Sequence, residues 1–233
     1  LGLLQYLFVG NAGRILNYGR IKFTMKVTRI TGGPLPTNCY LLTDDITGET
    51  AVIDSGFENS ELSNAILAVG AENVTSILLT HGHFDHIIGV SAIKRLTHAK
   101  VYIYSDDMMF TADNSLNLSS MISAPMEPFT ADEALNNGDV IKLGGLDIHV
   151  MHTPGHTIGS CCYLVENAIF TGDTLMKCSC GRTDFPTGSY PQIIDSLRKL
   201  RNLEGDYHIY PGHESETTLE YERKNNPFMG NNL

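Results

Sequence analysis

Basic side chains are scarce in this chain: 16 Lys and Arg stand against 26 Asp and Glu over 233 residues, a formal net charge of −10. A surface that binds nucleic acid by releasing counterions needs the opposite balance, so no nucleic-acid partner is expected. Long apolar runs are also missing, and the longest stretch falls well short of the ~20 residues of a membrane span, so no membrane association is expected. The five cysteines cannot all pair with one another, and no basic segment of secretory type precedes them, which argues against a disulfide scaffold. Internal repeats and low-complexity linkers are absent as well. Together these absences predict a soluble protein of a reducing, cytoplasmic compartment. What is present is an ordinary globular balance, 42% hydrophobic and 18% charged. The length suits one sizeable domain and is too short for two enzymes.

Residues 1–24 differ from the rest. They begin with Leu1 and show no clean helix or strand periodicity, whereas Met25 opens at once into an alternating pattern. The expected organisation is a non-native or disordered extension over residues 1–24 and one domain over residues 25–233. Within the domain, alternating or short apolar runs predict strands at 27–31, 39–42, 51–53, 77–79, 100–104, 140–143, 146–152, 160–165, 168–170 and 207–210. Helical spacing predicts helices at 61–69, capped by Ser60, and at 87–96, 191–200 and 216–222, with a short one capped by Ser105. Residues 111–136 read as irregular. This order suggests layered sheets carrying outer helices.

The strongest chemical signal is Thr80-His81-Gly82-His83-Phe84-Asp85-His86, directly after a short apolar strand. Neutral imidazoles and carboxylate oxygens suit zinc, iron or manganese. Without a cation, packing these polar rings together is costly. The competing reading is a His-rich surface turn. Three further donors each follow an apolar strand beside a glycine: His156 in Pro154-Gly155-His156, Asp173 in Thr171-Gly172-Asp173, and His213 in Pro211-Gly212-His213. Glycine lets the backbone turn sharply at a strand end, which is an economical way to bring distant residues to one point. A lone His or an Asp after Gly is ordinarily structural, but the set supplies seven donors, about what two ions need.

In this order and spacing, the His81–His86 run, Thr153-Pro154-Gly155-His156-Thr157, Phe170-Thr171-Gly172-Asp173-Thr174 and Pro211-Gly212-His213-Glu214 resemble the metallo-β-lactamase-fold hydrolases. The resemblance spans Met25 to His213. It implies an α/β (α+β) fold, a four-layer αββα sandwich with the metal site at one sheet edge. It implies that His81, His83 and His156 hold one metal, that Asp85, His86 and His213 hold a second, and that Asp173 bridges both. True β-lactamases lack an aspartate at the bridging position. Nucleic-acid-processing members carry large insertions for which this length leaves no room. The chain is most similar to the short single-domain glyoxalase II-like group, the hydroxyacylglutathione hydrolase-like proteins, and Gly181-Arg182-Thr183-Asp184-Phe185-Pro186 matches a stretch of those short relatives. Arg182 falls where glyoxalase II has a basic residue that touches glutathione, and Asp184 falls where it has a tyrosine. The helical glutathione-binding domain of the long enzymes is expected to be missing, because some twenty residues follow His213.

The activity this implies is hydrolysis of a small-molecule acyl compound or thioester by a hydroxide bridging two zinc ions, with iron or manganese as other metals. Two cations roughly 3.5–4 Å apart lower the pKa of a shared water toward ~7. Asp85 and Asp173 would orient that hydroxide as well as ligate, and Arg182 would pair with a substrate carboxylate, unless it forms a surface salt bridge. A lactonase, a persulfide dioxygenase with one iron held by His81, His156 and Asp173, and a catalytically idle metal-binding domain stay open beside this reading. Cys178 and Cys180 read as two free thiols of a loop more readily than as a soft metal site, and Cys161 and Cys162 as small hydrophobes of a strand. His152, four residues before His156, has no partner motif and no assigned role; it reads either as a neighbour of the ligands or as an ordinary strand residue. The sequence does not fix the oligomeric state.

Overall fold

The computed structural model describes residues 24–122 and 126–230. The expected extension lies outside the described residues except for Thr24. The first sheet contains β1 (Met25–Gly32), β2 (Thr37–Asp44), β3 (Thr50–Ile53), β4 (Val74–Leu78), β5 (Lys100–Tyr104) and β6 (Glu133–Leu135), ordered as in the chain. It begins antiparallel and becomes parallel from β3 onward. The second sheet contains β7 (Val140–Leu143), β8 (Leu146–His152), β9 (Cys161–Val165), β10 (Ala168–Gly172), β11 (His208–Pro211) and β12 (Thr217–Thr218). There the pairing is antiparallel except between β10 and β11. The helices are α1 (Ser60–Val69), α2 (Phe84–Ile87), α3 (Val90–Thr97), α4 (Tyr190–Arg201) and α5 (Leu219–Asn225).

Strand periodicity sorts the side chains into layers. Tyr40, Leu42, Ala51 and Ile53 of the first sheet meet Cys161, Tyr163 and Val165 of the second in a core between the sheets. Their neighbours Cys39, Leu41 and Val52 point the other way, onto Leu62 and Ile66 of α1 and Val90 and Ile93 of α3. On the far side, Cys162 and Ile169 pack against Ile193, Leu197 and Leu200 of α4 and Leu219 of α5. Each fully buried aliphatic side chain contributes about 1.5–3 kcal/mol to this packing. The result is the expected αββα sandwich.

Several local expectations change. The helix expected at 87–96 is two helices, because Gly89 sits where any side chain would collide with the carbonyls of Phe57 and Ser55, and its N–H donates to Ser55 at 2.8 Å. The cap of α1 is Asn59 rather than Ser60, its side chain accepting the Leu62 N–H. The helix expected at 216–222 starts only at Leu219, since Thr217 and Thr218 pair with β11. The irregular stretch 111–136 contributes β6 to the edge of the first sheet. By contrast, β7 and β8 occupy the residues expected for them.

Candidate metal centre

Parallel pairing brings the carboxyl-terminal ends of β3 and β4 to one edge, and those of β10 and β11 likewise. His81 and His83 leave the end of β4, and α2 presents Asp85 and His86 from its first turn. The loop between β8 and β9 carries His156, Asp173 follows β10, and His213 follows β11. All seven expected residues come together. His81, His83 and His156 form one group of donor atoms, His81, His86 and Asp173 a second, and Asp85, His86 and His213 a third, each with donors within 4.8 Å of one another. His83 Nδ1 lies 2.9 Å from His156 Nε2, and His86 Nε2 lies 3.3 Å from His213 Nε2. Asp173 stands between them, its Oδ1 3.4 Å from His86 Nε2 and its Oδ2 3.4 Å from His156 Nε2 and 3.6 Å from His213 Nε2.

Outer partners decide which nitrogen each ring presents. His156 Nδ1–H donates to the Arg182 carbonyl at 2.7 Å and His213 Nδ1–H to that of Pro36 at 3.0 Å, leaving both Nε2 lone pairs directed inward. Asp54 does the same for the first loop. Its Oδ1 accepts the Thr80 N–H at 2.8 Å, and its Oδ2 accepts the Thr80 hydroxyl at 2.7 Å and lies 3.0 Å from His86 Nδ1. Having donated its proton to Asp54, Thr80 Oγ1 accepts from His81 Nδ1 at 3.2 Å. Asp107 is wholly buried and joins two ligand loops, accepting the Gly82 N–H at 2.9 Å, the Thr157 hydroxyl at 2.7 Å and the Gly159 N–H at 2.7 Å. Asn38 braces the third loop through its side-chain amide, which donates to the carbonyls of Pro211 and Glu214 at 3.0 Å each. The sequence reading misses Asp54, Asp107 and Asn38. Asp54 alone leaves a trace in the sequence, as an acid directly after an apolar strand in Ile53-Asp54-Ser55-Gly56.

Burial, then the neighbouring His86, His156 and His83, hold His81 well below the ordinary imidazole range. Burial and His156 lower His83 to about 3. Burial opposes the charge on His86, but Asp85, Asp173 and Asp54 together outweigh it and raise it to about 10. Burial alone would raise the Asp85 pKa, but His86 and His213 hold it below the usual carboxylate range. The Nε2 atoms of His81 and His83 and Oδ1 of Asp173 are buried without any hydrogen-bond partner. Orphaned lone pairs of this kind cost ~1–3 kcal/mol each, and a cation among them removes that cost. The residues therefore fit a metal, and the His-rich surface turn is ruled out by their burial.

Arg182 lies at the rim of this centre, where its guanidinium pairs with Asp184. His152 stacks on Tyr104 at 4.2 Å and its Nε2–H donates to the Ile158 carbonyl, so it supports the loop that carries His156. Cys161 and Cys162 are buried in β9, Cys178 is exposed, and Cys180 is half-buried. Neither Cys178 nor Cys180 joins a candidate metal group among the described residues. No helix among the described residues is long and apolar enough to cross a membrane.

The chain is similar to known proteins in sequence and in fold. Residues 32–213 match the Metallo-beta-lactamase superfamily. The chain is 34% identical over 197 residues to the hydroxyacylglutathione hydrolase GloC of Haemophilus influenzae, covering 82% of this chain and 92% of that one. Among solved structures, BLEG-1 B3 metallo-β-lactamase superposes with a TM-score of 0.80 at 33% identity, over 88% of this chain and 99% of that one. TTHA1623, solved in a di-iron-bound form, superposes with a TM-score of 0.76 at 31% identity, over 87% of this chain and 100% of that one. The similarity thus extends to a protein that bears the name of a β-lactamase. With the fold, the gathered donors and the match over most of its length, this chain belongs to the metallo-β-lactamase superfamily.

Proposed function

We propose that this chain is a dinuclear metal-dependent hydrolase of thioesters or related acyl compounds, with zinc as its metal. The observation that carries this reading is the overlap of three donor groups in which His81 and His86 are each used twice. Overlapping sets of this kind suit two adjacent cations better than one. His81, His83 and His156 would hold the first, Asp85, His86 and His213 the second, and Asp173, reaching both sides, would serve as the shared ligand. Two such cations supply Lewis acidity toward a carbonyl oxygen and lower the pKa of the hydrolytic water.

The chain's own residues prepare that chemistry. Asp54, Thr80 and the carbonyls of Arg182 and Pro36 fix the ring tautomers, so the inward lone pairs are in place before substrate arrives. Phe110 and Phe185 meet the His83 ring edge-on at 6.0 and 5.8 Å and keep water from that flank. Asp85 and Asp173, the carboxylates beside the inward nitrogens, would accept a hydrogen bond from the attacking water and orient it. A thioester suits this site because its leaving thiolate needs little help from a general acid. The similarity to a protein named hydroxyacylglutathione hydrolase supports that substrate class. The di-iron form of TTHA1623 favours a second reading of the metal alone, iron in the same donors.

The test is elemental analysis of protein purified without added metal, followed by assay on S-lactoylglutathione, a simple lactone, a penicillin and a persulfide. Thioester turnover that chelation abolishes and zinc restores is the expected result. Turnover of the lactone or penicillin without the thioester contradicts the substrate class, and one iron per chain with oxygen uptake on the persulfide contradicts the hydrolase.

A further inference from the structure

Helix α5 reaches back toward the metal centre through one buried acid. Glu222 lies on this helix, is 0% exposed, and joins no candidate metal group among the described residues. Its Oε1 accepts the Thr217 hydroxyl at 2.7 Å, and its Oε2 accepts the Cys178 N–H at 2.8 Å and the Asn226 side-chain amide at 2.9 Å. The same amide donates to the Ser179 carbonyl at 3.0 Å. Elsewhere α5 packs on carbon, its Leu219 sharing an apolar layer with Leu175, Ile193 and Met229. Burying a carboxylate costs free energy that an apolar side chain does not, and a fully satisfied one makes its surroundings rigid. Here the part made rigid is a tight turn, in which Met176 and Ser179 exchange N–H···O bonds at 3.1 and 3.0 Å. Cys178 within it takes a φ of 55°, a left-handed backbone that favours glycine.

Just past this turn the chain touches the candidate ligands. The Gly181 N–H donates to the Asp173 carbonyl at 2.7 Å, and a methyl group on residue 181 would stand 2.8 Å from His156 Nδ1. The next carbonyl, of Arg182, accepts His156 Nδ1–H at 2.7 Å and is the one hydrogen-bond partner of that nitrogen among the described residues. Asp173 is anchored a second time, through the Gly212 N–H on the Gly172 carbonyl, whereas the orientation of the His156 ring depends on this loop. A carbonyl can only accept, so while it stays in place His156 carries its proton on Nδ1 and turns the Nε2 lone pair inward. We infer that Glu222 is a positioning residue of the metal centre: it fixes the turn 176–179, and through it the carbonyl that orients His156. The inference rests on the proposed function only for His156 as a metal ligand, and on nothing about the substrate.

The experiment follows the ring N–H protons of the zinc-loaded full chain, labelled with ¹⁵N-histidine, by NMR. Glu222→Leu keeps the bulk and removes both acceptors, so the His156 Nδ1–H should exchange with water at least about tenfold faster. The His213 Nδ1–H, held by the Pro36 carbonyl, should change by less than about twofold. Competition with a chromogenic chelator should show zinc affinity lowered about tenfold. Glu222→Gln should restore both readouts, because its amide oxygen can accept from Cys178 and Asn226 while its NH₂ donates to the Thr217 hydroxyl. Thr217→Val, which loosens the acid on the side away from the turn, should lower the melting temperature and leave the His156 proton as in the parent. If Glu222→Leu does not fold, Asn226→Ala decides: it frees the Ser179 carbonyl, and exchange at His156 about threefold faster is expected. No acceleration at His156, equal acceleration at His156 and His213, or Thr217→Val acting like Glu222→Leu overturns the inference. A parent that binds no zinc sinks the metal reading, whereas zinc binding with an unmoved His156 proton in the variants sinks this inference alone.

Discussion

Asp54 and Asp107 are two buried carboxylates that touch no candidate metal position yet hold the residues that do. Asp54 faces His86 directly and His81 through Thr80, and its φ of 56° is a left-handed backbone that few non-glycine residues adopt. Asp54→Asn should weaken metal binding about 10–100-fold in a folded protein, read by competition with a chromogenic chelator; affinity within twofold of the parent contradicts the role. Asp107 differs, because burial raises its pKa from 3.8 to about 6 despite three donors. The folded state therefore holds this proton more tightly than the unfolded chain. Its contribution to stability is greatest below about pH 4 and is lost as pH rises through about 6, up to ~3 kcal/mol. Urea unfolding of the metal-free protein should show the difference between the parent and Asp107→Asn falling over that window and level above it. A difference that grows with pH contradicts the assignment. The ligands themselves are legible in the sequence because four motifs repeat one logic, a strand, a glycine and a donor. Asp107 is not legible, because nothing in Ser105-Asp106-Asp107 says which acid turns inward.

At the scale of elements, the centre depends on how β10 and β11 end. The two run parallel, and the Gly212 N–H donates to the Gly172 carbonyl at 2.8 Å, which sets Asp173 and His213 side by side. A methyl group on residue 212 would collide with Asp173 Oδ1 and with the His86 ring. Gly212→Ala should therefore keep the fold, as judged by circular dichroism, and lose at least about tenfold in metal affinity. Parent-like affinity would mean that Asp173 is not held where it is described. The Asn59 side chain that starts α1 is a separate feature, and Asn59→Ala should cost about 1 kcal/mol in chemical unfolding without altering metal content. Periodicity finds β7, β8 and the apolar faces of α1 and α4, where burial on one side writes the pattern into the residues. It does not find the break between α2 and α3, because that break comes from Gly89 pressing on the distant carbonyls of Phe57 and Ser55. Nor does it find β6, whose three residues pair with β5 at the sheet edge.

Taken whole, the molecule is two sheets closed on a shared apolar core, with a cluster of like and unlike charges at one edge that the apolar layers cannot satisfy. The layered class is visible in the order of strands and helices, and the αββα arrangement follows from the family resemblance of the motifs. The convergence of those motifs on one edge becomes physical only through the parallel pairs, which no local pattern encodes. Chelation should accordingly destabilise the whole domain, and restoring metal at about a thousand times its dissociation constant should return ~4 kcal/mol, seen as a rise in melting temperature. The most direct test is anomalous X-ray scattering from crystals of the protein purified with its own metal. Two peaks are expected, one among His81, His83 and His156 and one among Asp85, His86 and His213, both within reach of Asp173. A single peak, or none at these residues, would contradict the dinuclear centre.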